Sequence, residues 1–578
     1  MAQKCGSKTS EVSKTSEGEG PKTQDAMKKG LKYQLISLGC MGIVGFVPSN
    51  NIALAYEQPN IILLMSDDQG WKQTGYYGSS TVVSPNLDTM AASGLQLNRF
   101  YTTSPVCAPT RASALTGRHH NRHGCLNVDN CVLDTEETTL AEAVKQANYV
   151  TGHFGKWHMG SFSGPKASTP GENGFDQWVS SKLFFDLDAT DFVRNGEDEP
   201  QIDGDGSDFI VEEAIDFIED AVNNGDKFLA VIWYASPHDP WEALDSDKAV
   251  FSTMSDDEQN FYGELYAMDR SIGTLRTKLE DLGIEQNTLL WFMGDNGPQD
   301  TNPDPKASGG LKGSKGDLWE GGIRVPGLIE WPEMMSSAKT NIPVSTLDIY
   351  PTILDILDIT VENQAELDGV SILPLLEGTM TERTGAIPFW YDKSIDTLTD
   401  IDVGHAVWMN EVYKLHKIVD TDGTVEYQLY NMKNDAVEET DLSSTNTSAA
   451  EGMKTLLETW QQTVLDDFTE DETVVIDSGE TIGASETAPN PAASAILAES
   501  NTLFSWAEQN FPTYFSPSNA VTQSIDGYFA RYYSETNTWL GTKEGVVYVY
   551  GTRFNDIQPA GFSIKTVGAV TDYIPATH

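Results

Sequence analysis

Residues 59–71 read Pro59-Asn60-Ile61-Ile62-Leu63-Leu64-Met65-Ser66-Asp67-Asp68-Gln69-Gly70-Trp71. A short, unbroken apolar run bounded by proline and glycine is the pattern of a strand buried on both faces, as in parallel sheets. Two aspartates follow it at once. In open α/β sheets, ligands bind beyond the carboxyl ends of the strands. The stretch therefore predicts a central strand and, at its end, a site. An N-cap and a solvated turn would account for one aspartate more readily than for two.

The same arrangement recurs along the chain. Lys227 to Tyr234 reads as a strand and runs into Ser236-Pro237-His238-Asp239-Pro240, where two prolines stiffen the loop that presents His238. Thr288 to Met293 ends in Gly294-Asp295-Asn296-Gly297. Tyr149 to His153 leads to a glycine-framed loop, Gly155-Lys156-Trp157-His158-Met159-Gly160. Between them, Ser84–Ser93, Thr138–Ala147, Asp208–Val222 and Glu258–Leu282 have helical spacing. A loop rich in glycine and lysine, Gly309 to Gly316, precedes Trp319-Glu320-Gly321-Gly322-Ile323-Arg324-Val325-Pro326. The alternation predicts an α/β fold over 56–400, a large doubly wound mixed sheet flanked by helices.

From about residue 403 the period shortens. Gly404–Val419 and Thr424–Tyr430 alternate around Asp422-Gly423, a hairpin signal, and predict a small antiparallel C-terminal subdomain over 401–467 closed by a helix from about 449 to 466. Residues 468–492 are acidic and rich in Ser, Thr, Pro and Ala, the composition of a linker. Residues 493–578 carry many aromatics and predict an appended β-rich module, whose rings form a small core or a row for binding sugars.

The chain's one candidate nucleophile lies in Ser104-Pro105-Val106-Cys107-Ala108-Pro109-Thr110-Arg111. Proline is tolerated in a first helical turn, so Cys107 is expected at a helix N-terminus, where free N–H groups favour an anion. Arg111, one turn on, faces the same way and offers a two-pronged donor. Asp67, Asp68, Asp295 and Asn296 are hard oxygen donors and suit Ca²⁺, or Mg²⁺, better than zinc. Around them stand Arg111, Lys156, His158, His238 and one or both of Lys312 and Lys315. Such a set would neutralise a tetrahedral oxyanion and move protons, which is the chemistry of monoester hydrolysis.

Charge narrows the partners. With 37 Lys and Arg against 86 Asp and Glu, the formal charge is −49, which excludes nucleic acid, since nothing would neutralise its phosphates. An anionic substrate is repelled at long range, so its site must be built from a metal and a few local cations. Lys28, Lys29 and Lys32 precede the apolar run Leu35–Val47, and Ala53-Leu54-Ala55 offers a cleavage site. Residues 1–55 are therefore expected to be an N-terminal extension and signal peptide, cut after about Ala55, with Met27 the more ordinary start. The mature chain would carry no membrane span and be periplasmic or secreted. Cleavage would remove Cys5 and Cys40. Of the rest, Cys125 and Cys131 could pair across a short loop, or all three remaining cysteines are buried thiols.

Over roughly residues 57–467 the sequence resembles the formylglycine-dependent sulfatases of the alkaline phosphatase superfamily. Cys107-Ala108-Pro109-Thr110-Arg111 fits their Cys-x-Pro-x-Arg signature, with Gly117-Arg118 as its extension. Asp67-Asp68, Gly155-Lys156-Trp157-His158, Pro237-His238, Asp295-Asn296 and Ser314-Lys315-Gly316 match the other blocks in family order. The resemblance implies that a formylglycine-generating enzyme oxidises Cys107 to Cα-formylglycine, whose hydrate is the nucleophile. Asp67, Asp68, Asp295 and Asn296 would hold Ca²⁺. Arg111, Lys156 and His158 would steady the hydrate, and Asp295 would help deprotonate it. His238 and Lys315 would bind the sulfate and serve the leaving group. Lys315, rather than Lys312, has the family's distance to the Glu-Gly-Gly block.

The expected substrate is a sulfated polysaccharide or oligosaccharide, or an aryl sulfate. A phosphonate or phosphodiester hydrolase of the same superfamily is the nearest rival, though relatives acting on phosphorus usually show Asp-His where this chain has Asp295-Asn296. A glycan-binding protein with a dead catalytic domain is the other. His119, His120, Arg122 and His123 form a basic cluster expected to line the pocket or hold the Cys125 loop, with a second metal site as the bolder reading. His405 is expected either at the mouth of the cleft or in a structural role.

Overall fold

The structure, a computed structural model, describes residues 56–471 apart from 130, 165 and 396, together with strand segments between 520 and 565. The expected signal peptide over 1–55, with Cys5 and Cys40, and nearly all of the expected linker over 468–492 lie outside the described residues.

The 59–71 stretch forms strand β1 (Asn60–Ser66), buried along its whole length. It shares a ten-stranded sheet with β2 (Leu95–Leu97), β3 (Val150–Lys156), β4 (Gln177–Ser181), β5 (Phe192–Arg194), β6 (Glu197–Asp198), β7 (Phe228–Trp233), β8 (Thr288–Gly294), β9 (Gly327–Glu330) and β10 (Ala338–Thr340). The strand order is β10-β2-β9-β8-β1-β7-β3-β4-β5-β6. The central strands β8, β1, β7, β3 and β4 are parallel. On one side β9 runs antiparallel to β8 and β2, and on the other β5 and β6 are antiparallel. The sheet is thus mixed, as expected.

Alternate residues of the central strands feed two cores. Ile61, Leu63, Met65, Val231, Trp233 and Trp291 point to one, and Ile62, Leu64, Ile232, Leu290 and Phe292 to the other. Five helices matter most to these cores: α1 (Pro85–Ser93), α2 (Cys107–Thr116), α3 (Gly206–Asn224), α4 (Asp256–Leu282) and α5 (Ile349–Leu357). Helices α2 and α5 pack on the first face, and α1, α3 and α4 on the second. Each large apolar side chain so buried contributes about 1.5–3 kcal/mol. Helix α4 starts two residues before the apolar pattern because Ser255 and Glu258 form a capping box.

A four-stranded antiparallel sheet follows: β11 (Ile387–Tyr391), β12 (His405–Met409), β13 (Tyr413–Val419) and β14 (Val425–Asn431). The expected continuous run Gly404–Val419 is two strands. Asn410 Oδ1 accepts from the N–H groups of Val412 and Tyr413 at 2.9 and 2.8 Å, turning the chain where apolar alternation alone gives no break. Helix α6 (Thr447–Asp471) packs on this sheet through Leu457, Trp460 and Val464. Further on, β15 (Ala520–Ile525), β16 (Tyr528–Tyr533), β17 (Thr538–Lys543), β18 (Val546–Tyr550) and β19 (Ser563–Lys565) form a five-stranded sheet, antiparallel except for its last pair.

One buried ion pair ties α6 to the larger domain. Arg122 Nε and Nη2 lie 2.8 and 3.0 Å from the Asp368 carboxylate, which also accepts from His119 N–H and Trp460 Nε1–H, each at 2.7 Å. Burial pushes the Asp368 carboxyl up, but Arg122 and these donors outweigh it and hold it below its ordinary value. A depressed pKa stabilises the fold above the unfolded value, and that stability is lost as pH falls through the folded one. Asp368→Asn should therefore cost about 3 kcal/mol at neutral pH. In urea melts the gap to wild type should narrow only below about pH 4.

Candidate active site

Parallel pairing in register brings the two acidic motifs together. Ser66 is opposite Gly294, and Met65 is opposite both Met293 and Trp233, so Asp67 and Asp295 leave adjacent strands at the same level. The ladder continues past the strand ends: Asp67 N–H donates to Ser236 O and Asp295 N–H to Ser66 O, both at 3.0 Å. Asp68 N–H then donates to Asp295 Oδ1 at 3.1 Å. Lys156, expected in a loop, is the last residue of β3, because Gly155 keeps the pairing with Trp233. Gly155 has φ of +102°, and a Cβ there would lie 2.0 Å from Trp233 O, so only glycine carries the strand that far.

Cys107 opens α2 as expected, and Arg111 follows one turn on. The Arg111 guanidinium is fully buried. Its Nη2 lies 2.7 Å from Asp295 Oδ2 and 3.3 Å from Asp67 Oδ2, while Nη1 donates to Lys156 O at 3.1 Å. Lys156 Nζ pairs with Asp67. Lys315 Nζ lies 2.8 Å from Asp68 Oδ2, Asn296 Nδ2 donates to Asp68 Oδ1 at 2.6 Å, and His238 Nε2 is 3.6 Å from Asp68 Oδ2. Cys107 Sγ is 3.3 Å from His158 Nδ1. All ten residues expected in the site thus meet in one cluster at the carboxyl end of the sheet. Asp68 and His158 take φ of 61° and 60°, a left-handed conformation that costs side-chain-bearing residues on the order of 1 kcal/mol or more and is typical of functional sites.

Three carboxylates face three fixed cations here, so the site is close to neutral without a ligand. Burial works to raise Asp67, yet Lys156, His238, Arg111 and Lys315 overcome it and hold the carboxyl far below its ordinary value. At Asp295 burial and the Asp67 charge prevail over Arg111 and Lys156, and the carboxyl is pushed up. Burial, reinforced by Lys156, keeps the His158 imidazole neutral, and burial also raises the Cys107 thiol. A low-dielectric site of this kind strengthens every charge it holds.

Whether the site suits a hard divalent cation is tested by its unsatisfied atoms. Asp67 Oδ1 and Asn296 Oδ1 are buried without a hydrogen-bond partner, an arrangement that is costly unless something binds them. Donor atoms of Asp67, Cys107 and Asp295 lie within 4.8 Å of one another, as do those of Asp67, Asp68 and His238. An oxygen-rich set with two unpaired buried oxygens fits Ca²⁺ or Mg²⁺.

The remaining candidates resolve differently. Lys312 Nζ sits 3.2 Å above the centre of the Trp319 ring, so the lysine that reaches Asp68 is Lys315. His405 has the structural role among the two expected for it. Its Nε2 is 2.8 Å from His416 Nδ1, and His416 Nε2 is 2.8 Å from Glu438 Oε1, within a buried network that includes Lys414 and Glu320. His119, His120 and His123 are buried, and burial holds all three well below the ordinary imidazole value. His120 Nδ1 lies 2.9 Å from Cys125 O, and Cys125 is disulfide-bonded to Cys131, so His120 braces that loop. Among the described residues its atoms form no converging set of three metal donors, which removes the second metal site.

Two neighbours had no motif to announce them. Gln299 Nε2 lies 2.8 Å from Asp239 Oδ1 and 3.4 Å from His238 Nε2. Phe184 stacks on His238, with ring centres 5.2 Å apart and planes 9° apart.

Residues 59–359 match the family model described as Sulfatase. The chain belongs to the sulfatase family. Residues 314–463 of this sulfatase also match the model for the C-terminal part of N-sulphoglucosamine sulphohydrolase. It is 30% identical to arylsulfatase G of Homo sapiens over 374 residues, which cover 56% of this chain and 69% of the relative. It is 30% identical to the ulvan-active sulfatase of Formosa agariphila over 338 residues, covering 55% and 65%. The solved structure of Ps i-CgsB in complex with k-i-k-neocarrahexaose is 28% identical, with a TM-score of 0.62, covering 70% of this chain and 93% of that one. The protein is a sulfuric ester hydrolase of the alkaline phosphatase superfamily. On sulfate ester substrate, Lys315→Ala should lower kcat/KM by about 10²-fold, whereas Lys312→Ala should change it by less than about fivefold. Steady-state rates of the two variants check this.

Proposed function

We propose that this sulfatase is an exported enzyme that hydrolyses sulfate monoesters of carbohydrates, with residue 107 as nucleophile and Asp67, Asp68, Asp295 and Asn296 as ligands of one Ca²⁺, or Mg²⁺. The observation that carries the reading is the convergence of Cys107, Asp67 and Asp295 within 4.8 Å beside the buried Arg111 and Lys156. A plain thiol is a poor partner for a hard cation. An oxygen nucleophile at the same carbon suits it, and the Cys-x-Pro-x-Arg signature is that of cysteines matured to Cα-formylglycine by a generating enzyme.

Oxidised and hydrated, residue 107 supplies two hydroxyls on one carbon, one to attack sulfur and one to restore the aldehyde as sulfate leaves. A divalent ion, when bound, lowers the charge on a sulfate oxygen and on the attacking hydroxyl. Asp295, which lies with Cys107 and Asp67 in one set of donor atoms, accepts the attacking hydroxyl's proton. Lys315 and His238 hold the sulfate from the Asp68 side and give a proton to the alcohol oxygen as its bond to sulfur breaks. His158, kept neutral, accepts the proton of the second hydroxyl. Water then re-forms the hydrate, so the sum is ester plus water to alcohol plus hydrogen sulfate. Arg111 stays paired with Asp67 and Asp295 throughout and fixes their orientation.

The relative named as an ulvan-active sulfatase and the solved structure in complex with k-i-k-neocarrahexaose support a sulfated carbohydrate as substrate. The leader composition at 1–55 supports export to the periplasm or beyond. Among the described residues no helix is long and apolar enough to cross a membrane.

The matured enzyme should carry an aldehyde, not a thiol, at position 107, read from the mass of the peptide that contains it. Cys107→Ala should lose about 10³-fold or more in turnover while keeping the wild-type circular dichroism and melting midpoint. Turnover by the thiol form, or by Cys107→Ala, at the wild-type rate would overturn the role of this residue. Aryl sulfate should be cleaved far faster than aryl phosphonate, and the reverse order would move the protein to the phosphorus-specific branch.

A further inference from the structure

We infer that Phe184 is a specificity-determining residue, the platform on which the sugar ring that leaves with the ester oxygen stacks; this rests on the proposed role of His238 at the sulfate. Strand β4 is the parallel neighbour of β3, so the chain beyond Ser181 emerges at the same sheet edge as Lys156. Two backbone bonds pin it there: Trp157 N–H to Ser181 O at 2.9 Å and His158 N–H to Lys182 O at 3.0 Å. Phe185 turns inward, is buried, and packs on Phe192 with ring centres 4.7 Å apart. Leu183 and Phe184, just before it, stay 37% and 39% exposed.

Among the described residues, the large apolar side chains left this exposed are Val83, Leu183, Phe184, Val250 and Leu456. Two of the five, Leu183 and Phe184, are adjacent, and Phe184 stacks on His238 of the candidate site. Phe184 is the only aromatic of that set. One face of its ring lies against the His238 imidazole in an offset stack. The imidazole in turn reaches Asp68 Oδ2 at 3.6 Å, so the ring is one side chain away from the sulfate position.

The His238 that carries this platform has polar neighbours. Gln299 Nε2 donates to Asp239 Oδ1 at 2.8 Å beside His238, and the Asp239 side chain, 48% exposed, lies 3.3 Å from His238 Nδ1. A pyranose offers an apolar C–H face for the Phe184 ring and a rim of hydroxyls for an acceptor and an amide. A simple aryl leaving group uses only the face, and an acyclic alkyl chain uses neither well. The combination fits a saccharide ring bearing free hydroxyls beside the sulfated carbon.

The test compares wild type, Phe184→Ala and Phe184→Trp on a panel of monosulfated methyl glycosides, on 4-nitrophenyl sulfate and on propyl sulfate, with inhibition by inorganic sulfate as a control. On the glycoside turned over fastest, Phe184→Ala should raise KM about tenfold and leave kcat within about twofold, and Phe184→Trp should keep the wild-type KM. KM for propyl sulfate and the inhibition constant of inorganic sulfate should not move, because neither has a ring. An unchanged glycoside KM, or a rise shared equally by propyl sulfate and inorganic sulfate, overturns the platform. Cleavage of 4-nitrophenyl sulfate with no glycoside turned over also overturns it while leaving the proposed chemistry standing. A wild-type enzyme with an aldehyde at position 107 that cleaves none of these esters refutes the proposed chemistry itself.

Discussion

The Arg111 guanidinium, with no exposure to solvent, spans Asp67 and Asp295 and donates to the carbonyl at the end of β3. Three strand ends are thereby held by one cation. Leaving a buried charge without its partner costs about 3–5 kcal/mol, so none of these groups can be lost without disturbing the others. The helix that carries Arg111 also carries Cys107 at its first turn, so the bridge that fixes the carboxylates also fixes Cys107, the proposed nucleophile, against them. Arg111, Asp67 and Asp295 each have more than one partner in this bridge, so their positions are set jointly.

The same economy governs charge. A chain with a formal charge of −49 repels sulfate esters at a distance, and in the proposed site the attraction for them is confined to a few ångströms around Arg111, Lys156 and Lys315. Salt screens the outer field over about 10 Å but reaches a buried cluster much less. A second buried network secures the loop that supplies Lys315. Lys414 joins Glu320 to Glu438, His416 continues from Glu438, and Trp319 stacks on His416 beneath Lys312. The small antiparallel sheet therefore reaches the site through charge and ring contacts, and His405 and Lys312 belong to that support.

Much of the site was legible because its residues sit where chemistry and strand pattern coincide. Apolar runs ending in Asp67-Asp68, His238 and Asp295-Asn296 announce both a parallel sheet and its ligand edge, and Cys107 with Pro109 and Arg111 announces the helix start. What escaped had no local signature. The break at Asn410 depends on a side-chain turn inside an alternating run. The extension of β3 to Lys156 depends on a glycine conformation that the sequence equally allows in a loop. His119, His120 and His123 read as a basic cluster, but burial holds all three well below the ordinary imidazole value, and His120 braces the Cys125–Cys131 loop. Phe184 and Gln299 acquire meaning only once β4 and β8 are laid beside His238.

The central claim is that in-register strands hold three carboxylates and an amide oxygen in an arrangement completed by one hard divalent ion. Equilibrium dialysis of metal-stripped protein against calcium tests it most directly. The account predicts one tightly held ion per chain, competed by magnesium, lost in Asn296→Ala with the fold intact, and lost in Asp67→Asn together with part of the stability of the buried bridge. No bound calcium in the wild type, or unchanged binding in both variants, would contradict it.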